Sequence, residues 1–151
     1  MATNSGTLGL AANGYYVGGA YHPSGGALVN GTGAGALFLD TPGNRVVVPY
    51  QPSLANTNPF SVEFWASPNA LSSGDGSTMC LVSWTQFGNP PGAGDGTRKG
   101  WLFYQNAGTG FTFRTYGAGN AAYSATVSSM SLSPGSWYHI VGVYDGTNTT
   151  L

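Results

Sequence analysis

The stretch Ser136-Trp137-Tyr138-His139-Ile140-Val141-Gly142-Val143-Tyr144-Asp145-Gly146 decides the fold. It reads as a strand running into a tight Asp-Gly turn. Aromatic and β-branched residues suit a pleated, packed surface. Alternation along a strand puts Trp137, Val141 and Val143 on one face and Tyr138, Ile140 and Tyr144 on the other. Apolar groups on both faces predict a strand inside a sandwich rather than one with a wet side. His139 is then expected to be a packed, hydrogen-bonded residue of a core strand. Asp145-Gly146-Thr147-Asn148 reverses the chain, because Gly, Asn and Asp tolerate positive φ. Thr149-Thr150-Leu151 is expected to return alongside. A chain that stops just after a turn is expected to be less than a whole domain.

Working outward, the same signals recur. Phe60–Ala66 and Met79–Trp84 read as central strands. Trp101–Gln105, Gly110–Tyr116 and Ala122–Ser128 follow as three more, separated by Gly/Asn turns. Phe111 and Phe113 alternate with Thr112 and Arg114, as expected of a strand with one wet face. Ala36–Leu39 and Arg45–Tyr50 flank Asp40-Thr41-Pro42-Gly43-Asn44 and are expected to form a hairpin. A short strand is expected near Tyr15–Tyr21 and one helical turn at Ser53–Ala55. Thr85–Gly100 reads as a long loop, and loops of that length are often functional. The chain is expected to divide into an irregular segment, 1–34, packed on a domain over 35–151. No repeat of propeller or solenoid length is visible.

Composition agrees with an all-β chain. Hydrophobic residues make up 41%, enough for a core, while charged residues make up only 6%, against about 25% in a typical domain. The surface must therefore be Ser, Thr, Asn, Gln and Gly. The 25 Gly and 9 Pro interrupt any long helix. The four cations, Arg45, Arg98, Lys99 and Arg114, form no run able to neutralise several phosphates, so nucleic acid is not an expected partner. No apolar run reaches the ~20 residues of a membrane-spanning helix. The N-terminal Met-Ala-Thr-Asn-Ser-Gly has neither a charged nor an apolar signal region, so no signal peptide is expected there. Cys80 is alone, excludes an intrachain disulfide, and reads as a small buried hydrophobe.

Four stretches in order carry a family likeness: Gly35-Ala36-Leu37-Phe38-Leu39-Asp40, Val46-Val47-Val48-Pro49, Phe60-Ser61-Val62-Glu63-Phe64-Trp65, and Trp137 through Thr147. Together they resemble the laminin-G-like branch of the concanavalin A-like lectin/glucanase superfamily in its bacterial form, over roughly residues 35–151. The resemblance implies an antiparallel β-sandwich, a jelly roll of two sheets. In such domains further strands usually follow the Asp-Gly-Thr turn. Their lack here implies that the sandwich misses its last strands, so self-association or completion by a neighbour's strand is expected. The resemblance also implies an extracellular or cell-surface setting in a bacterium, and calcium in loops at the sandwich rim.

The candidate chemistry is sparse. Glycoside hydrolysis needs two carboxyl groups, about 5–5.5 Å apart for retention. Glu63 is the only Glu, its same-face neighbours are Ser61, Trp65 and Ser67, and it reads as a hydrogen-bonded strand residue. His22 and His139 have no Gly-x-Ser-x-Gly elbow to serve. Two His and one Cys give no zinc spacing, and no phosphate loop is present. Calcium takes oxygen ligands, and Asp75 and Asp95, each in Gly-Asp-Gly, are the candidate ligands. Asp145 reads as a turn-former. Sugar recognition needs aromatic walls with a few placed polar groups. Trp84, Phe87, Trp101 and Tyr104 flank the long loop that carries Asn89, Asp95 and Arg98, and these seven residues are the candidate binding surface. Asn30 and Asn148 begin Asn-x-Thr sequons, which matter only in a glycosylating host.

Three functions are therefore weighed. The first is a non-catalytic binding or adhesion module that recognises a polysaccharide or a protein partner, with calcium assistance. The second is an assembly subunit completed by a neighbouring chain. The third, a glycoside hydrolase or lyase, is opposed by the shortage of carboxylates.

Overall fold

The computed structural model describes residues 1–20, 35–39, 41, 43–54, 59–70, 79–87, 98–105, 110–117, 122–126 and 130–151. They fall in two units, Met1–Ala55 and Asn56–Leu151. In the first, β1 (Tyr15–Val17) pairs antiparallel with β2 (Arg45–Val47), Tyr15 opposite Val47. Short 3-10 helices occupy Gly9–Ala12 and Pro52–Leu54. The turn before β2 forms as its chemistry predicts: Asn44 N–H donates to the Thr41 carbonyl at 3.1 Å, and Gly43 takes φ 93°. Among the described residues β2 ladders with Tyr15–Val17, and the expected partner, Ala36–Leu39, forms no ladder with it. Asn44 explains the choice in part. Its Oδ1 accepts from Gly19 N–H at 2.7 Å and ties the start of β2 to the end of β1. This pairing runs across the 34/35 boundary read from the sequence.

The second unit is an antiparallel sandwich. One sheet has the order β3 (Phe60–Ala66), β8 (Tyr138–Tyr144), β9 (Thr149–Thr150). The other has the order β4 (Met79–Phe87), β5 (Arg98–Gln105), β6 (Phe111–Tyr116), β7 (Ala122–Thr126). Alternation on β3 turns Phe60, Val62, Phe64 and Ala66 inward, against the buried Phe103, Phe111, Phe113 and Ile140. Phe103 and Phe113 stack at 4.5 Å, and Phe64 meets Phe103 edge-on at 5.0 Å. Such aromatic pairs add roughly 0.5–1.5 kcal/mol each beyond area burial. Gly142 lets the sheets close. A Cβ there would lie 2.5 Å from Phe103 Cζ and 2.8 Å from Phe113 Cδ1.

Three sequence expectations need correction. The loop over Thr85–Gly100 is shorter than read, because Thr85, Gln86 and Phe87 pair with Gly100, Lys99 and Arg98. Gly100 takes φ 98° there, and a Cβ at that position would collide with the Trp84 carbonyl oxygen. The alternation of β6 does not mark a wet face, since Thr112 is buried as well as its phenylalanines. Finally, β8 is not packed on both sides. Tyr138, Ile140, Gly142 and Tyr144 face the core, but Val143 is 40% exposed and Trp137 39%.

Candidate functional site

The outward side of β3 and β8 is built by a seven-pair ladder, from Phe60 opposite Tyr144 to Ala66 opposite Tyr138. The period of two that buries Phe60, Val62 and Phe64 necessarily turns Ser61, Glu63 and Trp65 out. Their register partners are Val143, Val141 and His139. Trp65 is 45% exposed. It stacks on His139 with ring centroids 4.8 Å apart and planes 18° apart. His139 Nε2 in turn lies 3.4 Å from Glu63 Oε2. His139 is therefore an exposed residue of a surface triad, not the packed core histidine expected from the strand pattern. Trp137, directly ahead of β8, is also exposed. An exposed His–Glu pair contributes about 0–1 kcal/mol, and a cross-strand aromatic pair about 0.2–1. Stability alone is thus a weak reason to hold a tryptophan in water here.

The outer face of the four-stranded sheet has a different character. Arg114 lies over the ring of the buried Tyr104, 4.9 Å from its centroid. Arg98 lies 5.8 Å from the Tyr116 centroid, and its Nη1 donates to Tyr116 Oη at 3.2 Å. Burial raises the Tyr116 pKa, but hydrogen bonds and charge from Arg114 and Arg98 together outweigh it, leaving the phenol below its ordinary value. On the core side, Trp101 Nε1 and Thr115 Oγ1 are buried without a hydrogen-bond partner, on residues directly opposite each other in the ladder.

The seven residues proposed from sequence do not share one surface. The register sets Trp84 opposite Trp101 on the core side, both half-buried, and Trp101 sits 6.0 Å from Phe103 in the core. Tyr104 and Arg98 belong to the opposite face, and Tyr104 is only 4% exposed. Phe87 pairs with Arg98 through the backbone. Asn89 and Asp95 lie outside the described residues, as do the calcium candidates Asp75 and Asp95. Among the described residues no group of three or more His, Cys, Asp or Glu could hold a metal ion. Asp145 does form the turn: its Oδ1 accepts from Thr147 N–H at 2.7 Å and Asn148 N–H at 2.6 Å. These bonds hold its carboxyl below the usual carboxylate range.

None of Trp65, Trp137, His139 and Glu63 is among the seven residues of the sequence-derived binding surface. The signal for two of them was present, since Glu63 and Trp65 share a strand face by simple parity. From sequence, Glu63 reads as a strand residue or a catalytic acid, and His139 as a core residue after a catalytic or zinc role is set aside.

Residues 40–151 match a laminin-G-like family model described as the concanavalin A-like lectin/glucanases superfamily. Comparison with curated proteins and with solved structures returns no match. Among the described residues no helix is long and apolar enough to cross a membrane.

Proposed function

Since the chain belongs to the laminin-G-like branch of the concanavalin A-like lectin/glucanases superfamily, we propose that it is a non-catalytic module of an exported or cell-surface protein, binding through the outward face of β3 and β8. Domains of this kind are in general carbohydrate- or protein-binding modules, although the superfamily also includes glycosidases. The observation that carries the reading is the exposed Trp65 stacked on His139, with Glu63 in contact with the imidazole. A rigid aromatic platform beside an acceptor and an imidazole offers the apolar wall and the placed polar groups that recognition of a small ring requires. Extended exposed apolar surface commonly marks such a contact. Glu63 is the sole carboxylate on these two strands, which favours binding over two-carboxylate hydrolysis.

The test is a thermal melt of the chain and of Trp65→Ala against soluble polysaccharides, with calcium and with a chelator. A ligand that binds only the folded state stabilises it by about 2.7 kcal/mol at one hundred times its dissociation constant. A glycan-dependent rise in midpoint that Trp65→Ala removes supports the reading. The same rise in wild type and variant places the contact elsewhere, and a chelator-sensitive rise directs attention to Asp75 and Asp95.

A second reading, assembly with a neighbouring chain, draws on the same exposed Trp65, Trp137 and Val143. Sedimentation at several concentrations tests it. Association abolished by Trp65→Ala favours it over ligand binding.

A further inference from the structure

Resting on that reading of the β3/β8 face, we infer that the ligand class is an uncharged polysaccharide, and that Glu63 excludes acidic chains. The argument is one of charge placement. None of the four Lys and Arg residues lies on β3, β8 or β9. Arg98 and Arg114 are engaged with Tyr116 and Tyr104 on the opposite sheet. Glu63 places its carboxylate on the outward face, and its side chain is 71% exposed. A uronate or sulfate group seated near Trp65 would meet that carboxylate with no Lys or Arg on these strands to offset it. A neutral sugar instead stacks its apolar ring face on exposed indole and donates a hydroxyl to Glu63, which accepts without a like-charge penalty.

The geometry favours an extended chain over a single sugar. Trp65 lies opposite His139 in the ladder, and Trp137 comes two residues before His139, just ahead of β8; a strand spacing of ~4.8 Å and ~3.3 Å per residue put their backbones roughly 8 Å apart. Trp65 is anchored by strand pairing and Trp137 directly precedes a paired strand, so the ordering cost on binding is expected to be small.

The experiment uses matched glycan pairs that differ in charge but not in backbone: hydroxyethyl- and carboxymethyl-cellulose, and dextran and dextran sulfate. Affinities are measured by calorimetry at low and high salt for the wild type, Trp65→Ala, Trp137→Ala and Glu63→Gln. All four proteins are first shown to unfold cooperatively and to be folded at the temperature of the titration. The uncharged member of at least one pair is expected to bind more tightly at low salt. The margin is about threefold for one like charge ~6 Å away in water, and it vanishes near 1 M salt, where the screening length is ~3 Å. Glu63→Gln is expected to raise the affinity for the acidic member about threefold and to leave the neutral one within about twofold. Tighter binding of an acidic member that still depends on Trp65 overturns the ligand class and leaves the face intact. Binding indifferent to both tryptophan variants, or no binding to any pair, overturns the face as well.

Discussion

The two faces of β8 are made of the same materials and do opposite things. Its inner row, Tyr138, Ile140, Gly142 and Tyr144, packs on Phe103, Phe111 and Phe113. Its outer row, His139, Val141 and Val143, with Trp137 ahead of it, meets solvent or stacks on an exposed tryptophan. Both rows hold aromatic and aliphatic residues, so side-chain type does not distinguish them. What distinguishes them is the opposing layer: the four-stranded sheet supplies phenylalanines to one row. The inner row is therefore expected to govern stability and the outer row recognition.

The largest test of that division lies opposite the inner row. Phe103 is fully buried, stacked on Phe113 and met edge-on by Phe64. Phe103→Ala is expected to cost about 3–5 kcal/mol, the range for deleting a buried aromatic ring. Denaturant unfolding measures it directly. A cost under about 1 kcal/mol would break the comparison, because the sheets would then not depend on their shared core.

Gly142→Ala asks the same question on β8 itself and adds one methyl group. The new Cβ would press on the rings of Phe103 and Phe113 within 2.8 Å. Overpacking of this kind costs about 1–3 kcal/mol. Val141→Ala, one residue away on the outer row, serves as the control. If both variants lose equal stability, the two faces are not energetically distinct.

How much of this could be read from the sequence follows from which interactions are local. β3 was legible residue for residue, because Phe-Ser-Val-Glu-Phe-Trp-Ala alternates cleanly between Pro59 and Pro68. The β8 turn and its return strand were legible because Asp-Gly chemistry acts within a few residues. The partner of β2 was not, since a turn specifies a reversal but not which strand lies alongside. The extension of β4 and β5 into Thr85–Gly100 was hidden because Gln86, Arg98 and Lys99 look like loop residues, while the ladder that pairs them is made by backbone. At the site, parity alone could have separated Trp101 from Tyr104, three residues apart on one strand and so on opposite faces. The exposure of His139 could not be foreseen, because it depends on which side of β8 the second sheet covers.

Trp65→Ala sharpens the comparison from the outer side. The loss of its stacking with His139 is expected to lower stability by no more than about 1 kcal/mol, although a large aromatic residue is removed. Melting of the unliganded variant, set beside its loss of glycan binding, checks both halves of the claim. A stability loss as large as that of Phe103→Ala would mean that the outer tryptophan is a structural element and the face is not free to bind.

The smallest effect is expected where β8 ends, beyond either row. The Asp145 carboxylate accepts two backbone N–H bonds in the turn to β9, and these hold its pKa below the ordinary value. A carboxyl group lowered in the folded state contributes stability above the unfolded pKa of about 3.9 and loses it as pH falls through the lower folded value. The melting midpoint of Asp145→Ala should therefore lie slightly below wild type near neutral pH and converge with it in acid. Because the turn is solvent-exposed, the gap should be small. A gap that persists unchanged in strong acid would show that the side chain supports the turn in its neutral form. A gap as large as that of Gly142→Ala would show that the turn, and not the inner row, sets the register of β8 against β9.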